Sequence, residues 1–83
     1  MKKYFVEAVP EEKLSGTSEF EYVVYDNDEF IEVARILEPA WKSGFVLVHN
    51  GIRRECLTLK AALTIIDDDW RDFDLPDALF VFA

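Results

Sequence analysis

Two segments near the start of the chain have the hydrophobic patterns of β-strands, and the second places its apolar residues at a period of two. Residues 3–9 are rich in aromatic and β-branched side chains and end at Pro10, which cannot donate a hydrogen bond to a neighbouring strand. Residues 19–25 alternate apolar side chains with a partly acidic set, in the order Glu19, Phe20, Glu21, Tyr22, Val23, Val24 and Tyr25. We therefore predict two strands, the second half-buried, joined by a charged loop over residues 11–18.

Residues 26–38 fit the period of a helix instead. Their apolar positions recur at i, i+3, i+4 and i+7 and are Phe30, Val33, Ala34 and Leu37. Asp26, with Glu29 three residues later, resembles an N-cap and its reciprocal carboxylate, and the helix dipole favours both. Because Pro39 disfavours a helical conformation at the residue before it, the helix is predicted to end at Glu38 or to restart as a short turn carrying Trp41.

The dipeptide Asn50-Gly51, between two β-prone runs, is the strongest local signal in the chain. A type I′ turn needs a positive φ at both positions, so residues 45–49 and 52–57 are predicted to form a hairpin. The predicted pairs are His49 with Ile52, Val48 with Arg53, Leu47 with Arg54 and Val46 with Glu55. Since each face of the second strand mixes apolar and charged residues, that strand is predicted to be an edge of the sheet.

Two further elements are predicted after the hairpin. Thr58 can cap a helix whose buried stripe is Leu59, Ala62, Leu63 and Ile66. Aspartates at its end oppose the helix dipole, so the helix is expected to stop near Asp67. The residues that follow are predicted to be mostly loop, and the apolar residues 78–82, after Pro76, to be a final strand buried on both faces.

These elements follow the order ββαββαβ. Without the first strand, this is the split β-α-β-β-α-β order of ferredoxin-like folds. We therefore predict a single α+β domain over residues 1–83, a small single-sheet sandwich of ferredoxin-like type, with an extra N-terminal strand and two covering helices. Because this architecture hosts many unrelated activities, it does not predict a function by itself.

Composition narrows the class of protein. Eighty-three residues suffice for one domain, and the 51% hydrophobic and 14% aromatic content favours a folded core despite a net charge of −8. No uncharged apolar run approaches the roughly 20 residues that span a bilayer, and no signal peptide follows the N-terminal lysines. The single cysteine, Cys56, fits a reducing compartment. We expect a cytoplasmic protein without membrane contact.

Charge is distributed by segment. Residues 1–41 carry ten acids and four bases, a net charge of −6. Residues 42–66 carry one acid and four bases, a net charge of +3, and residues 67–83 carry six acids and one base, a net charge of −5. Six of the eight aspartates lie in residues 67–77, which we call the acidic strip, with Arg71 among them. Because crowded carboxylates repel one another, the strip is either a solvated loop or a surface for a positively charged partner.

The usual catalytic and metal-binding arrangements are not indicated. The hairpin register separates His49, the only histidine, from Cys56 by several residue pairs, too far for a nucleophile and its base. Residues 26–29 and 67–74 lack the ligand spacing and loop glycine of an EF-hand. Direct nucleic-acid binding by the basic middle segment is opposed by the overall negative charge. We expect no enzyme, cofactor or metal; an acid–base enzyme with paired carboxylates is a third alternative and would need a cleft.

The first functional hypothesis is that the acidic strip imitates a phosphate backbone and occupies the nucleic-acid groove of a basic protein. Trp70 and Phe73 would be its apolar anchors. In size and charge the whole chain resembles phage-encoded inhibitors of host defence, such as anti-CRISPR and anti-restriction proteins and uracil-DNA glycosylase inhibitors. That resemblance implies a DNA-mimic inhibitor in the cytoplasm of a host cell. The predicted partner-binding residues are Asp67, Asp68, Asp69, Trp70, Asp72, Phe73, Asp74, Glu19 and Glu21.

The second hypothesis is a protein-interaction module, such as a subunit, an immunity protein or an antitoxin-like protein. It would bind through an exposed sheet edge, or form a homodimer through the hairpin of residues 45–57, and the acidic strip would only keep the chain soluble. Ionic strength separates the two hypotheses, because carboxylate contacts weaken as salt rises and apolar contacts do not.

Overall fold

A six-stranded mixed sheet and one α-helix form the part of the chain that the structure, a computed structural model, describes: residues 2–10, 18–39 and 43–76. The strands are β1 (Tyr4–Ala8), β2 (Ser18–Asp26), β3 (Glu32–Pro39), β4 (Phe45–His49), β5 (Ile52–Cys56) and β6 (Phe73–Asp74). Helix α1 (Leu59–Ile66) and a short 3₁₀ turn (Trp70–Asp72) lie between β5 and β6 in the sequence. The predicted α+β class is confirmed.

The strands hydrogen-bond in the order β5-β4-β3-β2-β1-β6. The first five form an antiparallel meander, and β6 pairs with β1 in parallel. Because β5 and β6 lie at opposite edges, α1 and the 3₁₀ turn carry the chain back across the sheet. This connection places the acidic strip beside the N-terminal strand.

The predicted Asn50-Gly51 hairpin is confirmed. Asn50 and Gly51 have φ angles of 54° and 76°, as the turn requires. The register of β4 and β5 is the predicted one, and it runs from the pair His49–Ile52 to the pair Phe45–Cys56. β5 is an edge strand, as its mixed faces predicted.

The predicted helix over residues 26–38 is wrong, because these residues form a tight turn and strand β3. The Asp26 carboxylate does accept hydrogen bonds from the backbone N–H groups of Asp28 and Glu29, at 2.8 and 3.0 Å, as an N-cap would. The chain then reverses: the N–H of Phe30 donates to the Asp26 carbonyl, and the N–H of Asp26 donates to the Ile31 carbonyl. The Asp26 side chain therefore stabilises an Asx turn between β2 and β3 instead of starting a helix.

The apolar residues of β3 match helical spacing because the strand is buried on both faces. It lies in the sheet between β2 and β4. Ala34 and Ile36 belong to the core under α1, whereas Leu37 is buried on the opposite face. A strand covered on both faces carries apolar residues at odd and even positions, which also satisfies helical spacing. The order ββαββαβ is therefore wrong at its third element, and the described residues form neither the ferredoxin-like order nor a two-helix cover.

Helix α1 matches its prediction. Thr58 is the N-cap, and its hydroxyl oxygen accepts a hydrogen bond from the N–H of Ala61 at 3.1 Å. Asp67 is the C-cap, where the opposing helix dipole predicted the end. The buried residues of the helix, Leu59, Ala62 and Leu63, pack on the sheet and complete the main hydrophobic core.

Several sequence predictions fall outside the described residues. They concern the final strand over residues 78–82, the loop over residues 11–17 and Asp77 at the end of the acidic strip. The described carboxylates of the acidic strip lie in residues 67–74.

Candidate functional site

The acidic strip begins at the C-cap of α1, and its first carboxylate is part of the fold. Asp67 Oδ2 lies 3.0 Å from Lys3 Nζ, and Asp67 Oδ1 accepts a hydrogen bond from the N–H of Asp69 at 3.2 Å. The hydrogen bond from Lys3 is the main cause that holds the pKa of Asp67 below its ordinary value. Only 15% of the Asp67 side chain is exposed. Its main role is therefore the ion pair with Lys3, which connects the strip to the residue before β1, and little of it is accessible to a partner.

Asp69 also has a structural role, as the N-cap of the 3₁₀ turn. Its Oδ1 accepts hydrogen bonds from the backbone N–H and from Nε of Arg71, both at 3.0 Å. The side-chain hydrogen bond from Arg71 is the main reason that the pKa of Asp69 is lowered. Arg71, the cation within the strip, thus forms its ion pair inside the strip, with Asp69.

The two aromatic residues of the strip pack towards the core. Phe73 is 3% exposed, and its ring stacks on Tyr4 across the β1–β6 pair, with the ring centroids 4.8 Å apart. Trp70 is half-buried against the same core, and Lys60 Nζ lies 4.7 Å from its ring centroid. A ring as enclosed as that of Phe73 is not available to a partner in this structure, so Phe73 anchors the strip to the core instead.

Three carboxylates of the strip have no partner among the described residues: Asp68, Asp72 and Asp74. Asp68 and Asp74 are exposed, and Asp72 is half-buried. Within residues 2–10, 18–39 and 43–76, their side chains make no hydrogen bond and no ion pair. They are the carboxylates of the strip that can meet a positively charged partner.

The tertiary structure brings a second acidic segment to the strip, the β2–β3 turn of residues 26–31. The N–H of Asn27 donates to the Lys3 carbonyl at 3.0 Å, and Asn27 Nδ2 donates to the Lys2 carbonyl at 2.8 Å. On the other side, Lys2 Nζ donates to the Arg71 carbonyl at 2.6 Å. The start of β1 therefore joins the turn to the strip.

We call this end of the sheet the acidic pole. Its carboxylates are Asp26, Asp28, Glu29, Asp67, Asp68, Asp69, Asp72 and Asp74, and its cations are Lys2, Lys3 and Arg71. Eight carboxylates and three cations leave a net charge of −5. Tyr4 lies between the two segments, and its pKa is raised chiefly by burial and further by the charges of Asp67 and Asp26.

The two glutamates of β2 that the sequence placed in the partner-binding set do not join the pole. Glu21 is 3% exposed on the sheet face opposite α1, and its carboxylate lies 3.0 Å from Nη1 of Arg35. Arg35 also contacts both carboxylate oxygens of Glu32, at 3.0 and 3.1 Å. Glu21 is therefore part of an internal ion pair. Glu19 lies near the start of β2, roughly 23 Å from Asp26 along an extended strand.

Other reactive groups of the described chain lie apart. Cys56 and His49 occupy opposite ends of the β4–β5 hairpin. Cys56 is buried, and burial raises the pKa of its thiol. Among the described residues, no three His, Cys, Asp or Glu side chains form a group that could hold a metal ion. No helix in the described part of the chain has the length and apolar character needed to cross a membrane.

Two grooves are lined by residues that are not part of the acidic pole. One, of about 300 Å³, lies between β5 and α1 and is lined by Leu47, His49, Asn50, Ile52, Arg54 and Ile65. The other, of about 440 Å³, lies on the opposite sheet face and is lined by Glu7, Ala8, Val9, Pro10, Val23, Tyr25 and Arg35. The described lining of neither groove brings two carboxylates together, which an acid–base enzyme would need.

Comparison of the chain with protein-family models, with curated proteins and with solved structures finds no match. The β2–β3 turn is the part of the acidic pole that sequence reasoning missed, because Asp26 and Glu29 also fit a helix N-terminus. The run Asp26-Asn27-Asp28 is a turn signal as well, since Asp and Asn side chains hydrogen-bond to their own backbone. That signal could have identified the turn.

Proposed function

We propose that this protein is a small non-enzymatic binding protein whose acidic pole occupies a basic, nucleic-acid-binding surface of a partner protein. The observation that carries the proposal is the convergence of residues 26–29 with residues 67–74 at one end of the sheet. Two carboxylate segments on either side of β1 then present a net charge of −5 from one small surface. A surface that binds phosphates would be attracted to it over several ångströms.

The outward carboxylates have the chemistry that a phosphate-binding surface recognises. Lys and Arg side chains of nucleic-acid-binding proteins donate to phosphate oxygens, and carboxylate oxygens accept the same charge-assisted hydrogen bonds. The exposed acceptors of the pole are Asp28, Glu29, Asp68 and Asp74, and Asp72 is half-buried. Since the paired carboxylates of the strip already hold its backbone in place, little conformational freedom is lost on binding.

The biological class that we propose is a phage-encoded, DNA-mimicking inhibitor of a host defence protein, of the anti-CRISPR or anti-restriction type. Small size, a net charge of −8 and an acidic pole built on a sheet support this class. The host cytoplasm is the compartment in which such an inhibitor would act.

Charge reversal tests the proposal. The variant carries Asp68→Lys, Asp72→Lys and Asp74→Lys, because these side chains are exposed or half-buried and hold no hydrogen bond in the described chain. We expect it to fold and to lose the partner that the native protein captures from host lysate. We also expect native binding to weaken steeply with salt, and double-stranded DNA to displace the partner.

The matched control is Glu7→Lys, which reverses an exposed carboxylate further along β1, outside the pole. It should retain the partner. The proposal fails if the triple variant still captures the same partner at low salt, or if DNA does not compete with the native protein for it.

A second candidate function is an interaction module that binds through the exposed edge of β5. Four of the five side chains of β5 are exposed, Ile52 is 63% exposed, and Leu57, just after the strand, is 93% exposed. A partner strand, or β5 of a second copy, could add to this edge by backbone hydrogen bonds. In the β4–β5 register Arg53 is in a non-hydrogen-bonded pair with Val48, so its N–H points to the open edge. Arg53→Pro, which removes that donor, should abolish such binding and leave binding at the acidic pole intact.

A further inference from the structure

Three aromatic rings form a cluster on the sheet face opposite α1, next to the acidic pole. The rings of Phe5 and Tyr25 stack with centroids 5.0 Å apart, and Phe30 meets Phe5 edge-on at 6.1 Å. Phe5 lies between Tyr4 and Val6, which both face the core under α1, so the pleat directs Phe5 to the other face. This ring cluster is separate from the core.

Phe30 is the exposed member of the ring cluster. Its side chain is 70% exposed, and its backbone has a φ of 58°, a conformation that bulky residues rarely adopt. Two backbone hydrogen bonds between Asp26 and residues 30 and 31 hold the turn in this form. The turn therefore presents an aromatic ring to solvent from a defined position.

Carboxylates surround the ring cluster. Asp74 pairs with Phe5 in the β1–β6 register, so the two side chains share a face of the sheet. Asp28 and Glu29 directly precede Phe30, and all three carboxylates are exposed. The nearest cation on β3, Arg35, already pairs with two glutamates. The surface thus joins aromatic faces to net negative charge.

We infer that the ring cluster and its carboxylates bind arginine side chains from an arginine-rich segment of the partner protein. A guanidinium group is planar and weakly hydrated, so it can stack on an aromatic face while it donates to neighbouring carboxylates. A lysine ammonium is compact and strongly hydrated and gains less from the rings. The inference rests on the proposed function and specifies its partner chemistry.

The test compares two short peptides of equal length, one all-arginine and one all-lysine, titrated against the full chain at low salt. We expect tighter binding of the arginine peptide. Phe30→Gly should weaken the affinity for the arginine peptide by roughly two- to fivefold, because an exposed cation–π contact contributes that much. The affinity for the lysine peptide should not change. Glycine is chosen since it accepts the positive φ of residue 30 without strain.

Ile52→Ala is the matched control, because it removes an exposed apolar side chain at the far edge of the sheet. It should change the affinity for neither the arginine peptide nor the lysine peptide. Equal binding of both peptides, or an arginine preference that survives Phe30→Gly, overturns the inference but leaves the proposed function standing. If neither peptide binds, the inference is overturned, and the proposed function is decided separately by capture of the partner from lysate.

Discussion

The ammonium group of Lys3 lies 3.0 Å from a carboxylate oxygen of Asp67, across 64 positions of sequence. This ion pair connects the start of β1 to the first residue after α1. It also gives one carboxylate of the acidic strip a function within the fold. Crowded aspartates in this chain are therefore not all available for a partner.

The Lys3–Asp67 pair should make stability depend on pH in a defined window. The pKa of Asp67 is held below its ordinary value of 3.8, so its contribution is present above that pH and is lost as the pH falls through the folded-state pKa. The pKa of Lys3 is raised above 10.5, so its contribution is present below that pH and is lost as the pH rises through its folded-state pKa. Asp67→Asn should lower the urea midpoint between these limits, and its effect should shrink as the pH falls below 3.8.

Asp68→Asn serves as the control for Asp67→Asn, since its side chain is exposed and has no hydrogen bond in the described chain. It should leave the midpoint nearly unchanged at all pH values. A constant difference between native protein and Asp67→Asn, from acid to neutral pH, would contradict the role given to the ion pair.

Phe73 should behave as a core residue and not as a contact residue. Phe73→Ala should lower the free energy of unfolding by about 3–5 kcal/mol, because it removes a buried ring and the stack with Tyr4. Asp74→Ala, at the next and exposed position, should change it by less than about 0.5 kcal/mol. Chemical denaturation measures both, and similar values for the two variants would refute the assignment.

Gly44 and Gly51 offer a matched pair of substitutions. Both have a positive φ, at 95° and 76°, so alanine is strained at either position, by about 1 kcal/mol. At Gly44 the new Cβ would also lie 2.9 Å from the Cys56 carbonyl oxygen, whereas at Gly51 no atom lies within 4 Å. Gly44→Ala should therefore be the more destabilising variant in thermal unfolding, by at least about 1 kcal/mol. Equal effects would show that the close approach is relieved by a backbone shift.

Arg35 should matter more than its exposed position suggests. Its guanidinium pairs with Glu21, which is 3% exposed, so Arg35→Ala removes a charge-assisted hydrogen bond from a buried carboxylate. We expect a loss of roughly 1–3 kcal/mol in the free energy of unfolding at neutral pH. Arg53→Ala, on the exposed part of β5, is the control and should have little effect. A smaller loss for Arg35→Ala than for Arg53→Ala would be incompatible with this account.

The Cys56 thiol should react slowly while the protein is folded. It is buried, and burial raises its pKa, so little thiolate is present at neutral pH. Alkylation should be at least about tenfold slower in buffer than in denaturant, and the denaturant dependence should follow global unfolding. Rapid labelling of the native protein would indicate local opening at the end of β5.

Sequence reasoning succeeded where a few neighbouring residues decide the structure. The Asn50-Gly51 turn determines the register of β4 and β5, and Thr58 caps α1 through its own hydroxyl group. It failed at residues 26–38, because Asp26 can cap a helix or an Asx turn with the same oxygen. Which of these forms depends on whether β2 and β4 are present to pair with β3, and local sequence does not contain that information.

The same distinction between local and distant contacts holds for the candidate site. The sequence identified the strip from charge alone, but it did not separate Asp68, Asp72 and Asp74 from Asp67 and Asp69, whose carboxylates hydrogen-bond within the fold. It could not tell that Phe73 stacks on Tyr4 or that the buried Glu21 pairs with Arg35, since both contacts join distant segments.

By itself, the sequence determined the local hairpin, helix α1 and the excess of negative charge, because turn chemistry, capping and net charge depend on residues close together or on composition. Only the tertiary structure decided that β3 is a strand, that β6 adds to β1 in parallel, and that two acidic segments meet at one pole. Strand pairing joins residues far apart in the chain, so its outcome depends on the burial of all partners together.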